Sequence, residues 1–326
     1  MKHKIILSIF AALSAFSMTA YAQVNIAFST IGDSGNANDN TGYGGVSYDY
    51  AIGTYDVTVG QYCTFLNAVA ATDTYSLYNT NMTVSPSTPS ITRSGVSGSY
   101  SYSVNSGAND NPITYVSWFN AARFTNWLGN GQKTGSQDAS TTETGAYSLN
   151  GAMFGSSFTK NVSAQYWIPT ENEWYKAAYY DPSLNGGNGG YYLYTTRSNT
   201  APGASWANRT LANQANFWTS APLIGPGIYL TPVGSFTNSA SAYGTFDQGG
   251  DVFQFNDSVN FGSLCGARGG SWTDVEPFLQ SNIRYYFNPT FVEENLGFRV
   301  ATVPEPTVLV SLVVGMAMLA CVRRID

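Results

Sequence analysis

The sequence predicts a single, loop-rich α+β domain, and three observations point there. Three segments carry helix-start signals followed by apolar residues at helical spacing: Thr58 with Gln61, Ser117, and Thr170 with Glu173. Between them lie long runs rich in Ser, Thr, Asn, Gly and Tyr, without sustained periodicity. Towards the C-terminus, Arg268-Gly269-Gly270-Ser271-Trp272 and Gly297-Phe298-Arg299 read as two buried strands. Their glycines let backbones approach closely and one large aromatic covers the gap. At 326 residues the chain is long enough to bury a sizeable core.

Taken in order, residues 24–29 and 45–52 are short candidate strands in a Gly/Asn/Asp-rich stretch. Thr58 and Gln61 then form a capping box, in which the hydroxyl accepts the N–H of the third helical residue and that residue's side chain returns the bond. Tyr62, Leu66, Val69 and Ala70 give this first helix its apolar face, with Cys63 alongside. Residues 71–109 read as a long loop or an irregular hairpin. Ser117 caps a second helix whose apolar side is Trp118, Ala121, Ala122, Phe124, Trp127 and Leu128, and Gly129 ends it. After a loop over 131–165, Thr170 and Glu173 cap a third helix, with Trp174 and Ala177 facing inward and Asp181-Pro182 stopping it. Glu171 and Glu173 read either as an acid/base pair or as carboxylates favoured at a helix start by capping and the macrodipole. Arg268, Arg284 and Arg299 are three of seven arginines between the termini. They are forked donors suited to carboxylates and carbonyls, or to a ligand.

The two ends carry processing signals. In residues 1–22, Lys2 and Lys4 precede an apolar run and Ala20-Tyr21-Ala22, the order of a secretory signal peptide with Gln23 as the mature start. The run is short for the other reading, a membrane anchor. In residues 303–326, Val303-Pro304-Glu305-Pro306 is followed by sixteen uncharged residues and then Arg323-Arg324. This closely resembles the PEP-CTERM sorting signal; an ordinary C-terminal anchor is the alternative. The resemblance implies an exosortase as partner and removal of the tail. It also implies a place at the cell surface or in the extracellular matrix of an exopolysaccharide-producing Gram-negative bacterium, with only transient membrane contact through residues 307–322.

Composition excludes several classes. The net charge is −6 and only 10% of residues are charged, which offers nothing to nucleic-acid phosphates. The one histidine, His3, lies in the cleaved leader. That removes His-ligated metal sites and Ser-His-Asp or Cys-His catalysis from the mature chain. Cys63 and Cys265 could pair in an oxidising compartment or remain two buried thiols, and Cys321 lies in the tail.

Five blocks, in order over residues 46–302, resemble the formylglycine-generating enzymes, or sulfatase-modifying factors. They are Tyr-Asp-Val-Thr-Val-Gly-Gln-Tyr at 55–62, Asn-Pro-Ile-Thr-Tyr-Val-Ser-Trp at 111–118, Ile-Pro-Thr-Glu-Asn-Glu-Trp at 168–174, Gly-Thr-Phe-Asp-Gln-Gly-Gly-Asp-Val-Phe-Gln-Phe at 244–255, and Arg-Gly-Gly-Ser-Trp at 268–272 with Leu-Gly-Phe-Arg at 296–299. The resemblance implies that family's compact fold, a variant of the C-type lectin fold, over residues 23–302. It also implies a copper-binding cysteine pair just past the Gly-Gly-Ser, oxidising a substrate cysteine. Those places hold Asp274 and Leu279, and no cysteine occurs between Cys265 and Cys321. Copper is therefore not expected, because thiolate ligands are what such a site requires. Ser271, Trp272, Asp274 and Arg284 are the candidate groove.

The family also holds calcium. Carried over, one site comprises the Asp247 side chain, the Gly250 and Val252 carbonyls and the Gln254 side chain, where Gln254 replaces a glutamate. Asp247 reads alternatively as a turn-capping aspartate. A weaker second site would use Asn216 and Phe217. The functional expectation is an exported, non-catalytic module that binds carbohydrate or protein. The alternative is a formylglycine-generating oxidase acting on a sulfatase cysteine.

Overall fold

The computed structural model describes residues 23–155, 159–220 and 229–304. Residues 1–22, read above as a signal peptide, and all but the first two residues of the segment read as a sorting tail lie outside the described residues.

Local signals become helices where the caps place them. Helix α1 (Val59–Val69) starts at Thr58 with both capping-box bonds made, Gln61 N–H to Thr58 Oγ1 at 3.3 Å and Thr58 N–H to Gln61 Oε1 at 2.9 Å. A short α2 (Asn81–Val84) follows. Helix α3 (Trp118–Gly129) starts at Ser117, whose Oγ accepts the Asn120 N–H. Helix α4 (Glu171–Tyr179) starts at Thr170 with a second complete capping box to Glu173. Each box pairs helix-end N–H groups that the helix itself leaves open.

The strands are β1 (Phe28–Ile31), β2 (Tyr50–Gly53), β3 (Ile91–Ser94), β4 (Ser101–Val104), β5 (Tyr166–Trp167), β6 (Tyr180–Asp181), β7 (Gly190–Tyr191), β8 (Phe253–Asn260), β9 (Leu264–Arg268), β10 (Tyr285–Phe287), β11 (Leu296–Phe298) and β12 (Ala301–Thr302). One sheet runs β1-β2-β12-β5, all antiparallel, so the last described strand is inserted beside the second and draws the two ends of the domain together. The other runs β10-β9-β8-β11, with β11 parallel to β8. β3–β4 and β6–β7 are separate antiparallel pairs.

Three expectations shift in detail. β1 and β2 begin later than 24 and 45. The Val24 N–H is taken by Gln132 Oε1, and Val46 is tied back to Gly35 and Asn36, so both stretches start as loop. Residues 71–109 contain the β3–β4 hairpin, the second of the two alternatives for that stretch. The strand expected over 268–272 stops at Arg268, because Gly269 and Gly270 take φ of +101° and +66°. A Cβ on Gly269 would lie 2.4 Å from the Gln248 carbonyl oxygen, so glycine is required by both torsion and space.

The core is aromatic. Tyr62 and Phe65 of α1 meet Phe124 and Trp127 of α3 with ring centroids 5.1–6.1 Å apart, and Phe298 of β11 joins Phe124 at 5.5 Å. Burying each such ring contributes roughly 1.5–3 kcal/mol. Phe298 thereby locks the second sheet onto the helices.

Thr170→Ala is expected to cost about 1 kcal/mol through the lost cap. Gly269→Ala should cost more, since both the positive φ and the Gln248 backbone resist it. Urea denaturation of the two variants measures the order.

Candidate functional site

The three C-terminal arginines are all used as forks. Arg268, at the end of β9, donates Nε to Glu171 Oε1 and Nη1 to the carbonyls of Ser281 (2.7 Å) and Ile283 (2.8 Å). Arg284 meets Glu171 Oε2 at 2.8 Å, where Asn256 Nδ2 also donates at 2.8 Å. Both guanidiniums lie over the Tyr43 ring, at 4.9 and 5.0 Å. Glu173 is equally occupied. It accepts from Trp167 Nε1 (2.9 Å), Tyr48 Oη (2.7 Å) and the Thr170 N–H (2.7 Å). Neither glutamate is placed as a free acid or base; they are structural carboxylates at a helix start.

Arg299 is fully buried between β11 and β12. It donates to Gln254 Oε1 (2.7 Å), the Gly53 carbonyl (2.7 Å) and the Phe246 carbonyl (2.9 Å), and pairs with Asp56 Oδ2 at 3.4 Å. The buried Asp56 and the half-buried Asp247 bear on it directly, and the buried Asp251 bears on both of these carboxylates. Asp56 leaves Oδ1 without a partner. Asp247, at φ +58°, accepts the Gly234 N–H at 2.6 Å. Asp251, at φ +55°, accepts from Asn216 Nδ2 (2.7 Å), the Thr231 N–H (2.9 Å) and Thr231 Oγ1. Burial pushes all three well above the usual carboxylate range, and the Asp247 charge raises Asp251 further. The Arg299 cation offsets this only in part.

Of the four positions carried over for calcium, Gln254 and Asp247 meet, since Gln254 Nε2 donates to the Asp247 carbonyl at 2.8 Å. However, the Gln254 amide oxygen already accepts from Trp174 Nε1 (2.6 Å) and Arg299 Nε (2.7 Å). As arranged, these residues do not fit calcium, which needs that oxygen free. At the second place, Asn216 Nδ2 is directed to Asp251 and to the Tyr229 carbonyl (2.7 Å), and the Phe217 side chain packs with Tyr194 and Leu279.

The expected groove is assembled in part. Ser271 Oγ donates to Asp274 Oδ2, and Asn295 Nδ2 donates to Ser271 Oγ (3.1 Å) and Thr273 Oγ1 (2.8 Å). The Trp272 ring lies tilted against Tyr229 with centroids 4.5 Å apart, and its backbone N–H donates to the Asp251 carbonyl at 2.9 Å. Arg284 belongs elsewhere, with Glu171, Tyr43 and Ser258. Leu279 is buried against Tyr194, Ala215 and Phe217. Burial raises Asp274 above its ordinary value. Cys63 and Cys265 are both free and buried in the core. The charge that bears on Cys265 is Asp257, not Asp274. Asp56, Asp251, Thr273 and Asn295 were not singled out from the sequence. All four lie inside or beside the motif blocks, which was the available signal.

Residues 37–303 match the family profile described as the sulfatase-modifying factor enzyme 1-like domain. The chain belongs to that family. Among solved structures, this sulfatase-modifying factor-like chain resembles CarF, with 18% identity, a TM-score of 0.51, and 86% of this chain and 99% of that one covered. It also resembles variable protein 1 of Treponema denticola, with 16% identity, a TM-score of 0.51, and 87% and 97% covered. These likenesses show the fold, the C-type-lectin-like variant anticipated above. No curated protein matches the chain.

The buried carboxylates of this sulfatase-modifying factor-like domain dictate its pH dependence. Asp247, Asp251 and Asp257, the last pushed up to about 7 by burial and the Glu173 charge, bind protons more tightly folded than unfolded. The folded state therefore holds more protons between pH 4 and 7, and stability falls as pH rises through that window. Thermal melts should show Tm decreasing from pH 4 to 7, and Asp251→Asn should flatten the slope. A Tm rising over that range would contradict the assignment.

For Asp247, the bond to the Gly234 N–H leads to equal destabilisation of Asp247→Ala with calcium and with chelator, by about 1–3 kcal/mol. A calcium-dependent Tm gain in the wild type, abolished in the variant, would instead place the ion there.

Proposed function

We propose that the chain is an exported, non-catalytic member of its family, acting at the cell surface or in the exopolysaccharide matrix as a binding module for carbohydrate or protein. One observation carries the reading. At the two positions matched to the family's copper-binding cysteines stand Asp274, a carboxylate bonded to Ser271, and Leu279, an apolar side chain packed in a hydrophobic cluster. A thiolate pair must hold Cu(I), and one member must exchange with the substrate thiol. Asp274 exchanges with no thiol and Leu279 ligates nothing. The two remaining core cysteines are poor substitutes. Burial pushes the Cys63 thiol up to about 11 and Cys265 up to about 12, so both stay protonated at neutral pH. The signal-peptide order and the Pro-Glu-Pro, apolar-run, Arg-pair tail support export and exosortase handling.

The purified protein, given copper, oxygen and a sulfatase-type cysteine peptide, should leave the peptide mass unchanged. An aldehyde product would overturn the reading in favour of the oxidase, and Cys265 would be the first residue to mutate. Asp274→Cys with Leu279→Cys should restore weak copper binding, at a stability cost of about 2 kcal/mol or more from the cavity at Leu279. Mass spectrometry of the secreted protein should find Gln23 at the start and residues 307–326 removed. An intact tail would count against sorting.

A further inference from the structure

The surface of α3 away from the strands carries a cavity of about 220 Å³ lined by Tyr75, Ser76, Asn120, Arg123 and Thr290 among others. Arg123 is fully buried. Its Nε and Nη2 grip Glu143 at 2.6 and 3.0 Å, Nη2 also reaches the Ala152 carbonyl at 2.9 Å, and Nη1 has no hydrogen-bond partner among the described residues. A buried N–H donor left unpaired is a liability that native structures rarely keep without a use. The guanidinium lies 4.3 Å from the centre of the half-buried Tyr75 ring, which both covers it and lines the cavity.

We propose that this cavity binds a single neutral sugar ring, with Arg123 Nη1 donating to a ring hydroxyl once Tyr75 turns from its present cover onto the sugar face. The inference rests on the carbohydrate half of the proposed function and gives it a site. Glu143 already cancels the Arg123 charge, so the free capacity is for a neutral acceptor, not an anion. The rest of the wall is uncharged: hydroxyl, amide and aromatic groups, with Met153 and Val292 as its aliphatic part. Asn120 Oδ1 accepts from Ser117 Oγ at 2.9 Å, while its Nδ2 makes only long bonds, 3.3 and 3.4 Å, to the Ser76 and Leu77 carbonyls and keeps donor capacity. Phe119 and Tyr115 add ring edges and faces. Mixed donors and acceptors with aromatic faces suit a polyol. The volume lies below that of a drug-sized ligand site, so it suits one ring. Ser76 and Tyr115 in the wall hold φ of +52° and +57°, a left-handed conformation that costs any non-glycine residue and that their surroundings must hold in place.

The test is calorimetric titration of the purified full-length chain with methyl glucoside, methyl galactoside, methyl mannoside and galacturonic acid. At least one neutral glycoside should bind with a millimolar Kd. Thr290→Trp, which fills the exposed rim, should weaken it at least tenfold. The double variant Arg123→Met, Glu143→Met should do the same; it replaces the buried pair with apolar side chains, a change that often preserves folding. Circular dichroism checks that both variants fold. No binding of any glycoside to the wild type overturns the proposal, as does tighter binding of the uronic acid than of every neutral sugar. Undiminished glycoside binding in both folded variants also overturns it, by placing the sugar elsewhere. In that last case the carbohydrate reading of the protein survives and only this site falls, whereas aldehyde formation in the copper assay defeats the non-catalytic reading whichever way the titration turns out.

Discussion

The Arg299 guanidinium is the constraint on which the domain's assembly depends. It is fully buried and reaches four separate segments at once: the Gly53 carbonyl at the end of β2, the Phe246 carbonyl in the loop before β8, Gln254 on β8, and Asp56 ahead of α1. The two sheets share no strand, yet Arg299 sits in the two-residue link from β11 of one to β12 of the other. Losing it would leave Asp56 charged or protonated without a counter-ion and Gln254 with half its donors. Removing one partner from such a buried pair typically costs about 3–5 kcal/mol. Three neighbouring carboxylates, Asp56, Asp247 and Asp251, with a single cation among them also mean that protons complete the balance, which ties stability to pH.

Glu171 organises the neighbouring region in a similar way. Its position at the start of α4 follows from capping, and its two oxygens then receive Arg268 from β9, Arg284 from the segment before β10, and Asn256 from β8. Tyr43 lies against both guanidiniums and brings the N-terminal loop onto the same cluster. Charged groups here replace the apolar layer that a larger sheet or longer helices would have supplied. This suits a chain with short strands and extended loops.

Most of what was legible in the sequence is local. Thr58 with Gln61, Ser117, and Thr170 with Glu173 are recognisable because a cap is a bond between residues three apart. The family blocks made the fold legible as a whole. Strand partnership was not, because the pairing of β2 with β12 spans most of the chain and leaves no periodic trace in two residues, Ala301 and Thr302. The end of β9 at Arg268 was hidden too, since a Gly-Gly pair reads equally as a close approach inside a strand or a left-handed turn after it. At the site, Ser271 and Asp274 came together as sequence proximity suggested. Arg284 did not join them: Glu171, a partner distant in sequence, claims it instead. Asp56 and Asp251 went unnoticed because an isolated aspartate in a loop looks like any turn residue until burial is known.

Retention of this framework does not require the chemistry it supports in other members of the family. Fold and site are separable, because the caps, the Arg299 contacts and the aromatic core make no use of the positions now held by Asp274 and Leu279. Ser271, Thr273, Asp274 and Asn295 form a closed set of hydrogen bonds, so a carboxylate here is accommodated without a metal or a thiol. Leu279 packs with Tyr194, Ala215 and Phe217 in a hydrophobic cluster. On the proposed reading both positions serve stability, so copper chemistry would need two coordinated substitutions and the loss of a packed side chain, while binding functions on the loops could vary without touching either.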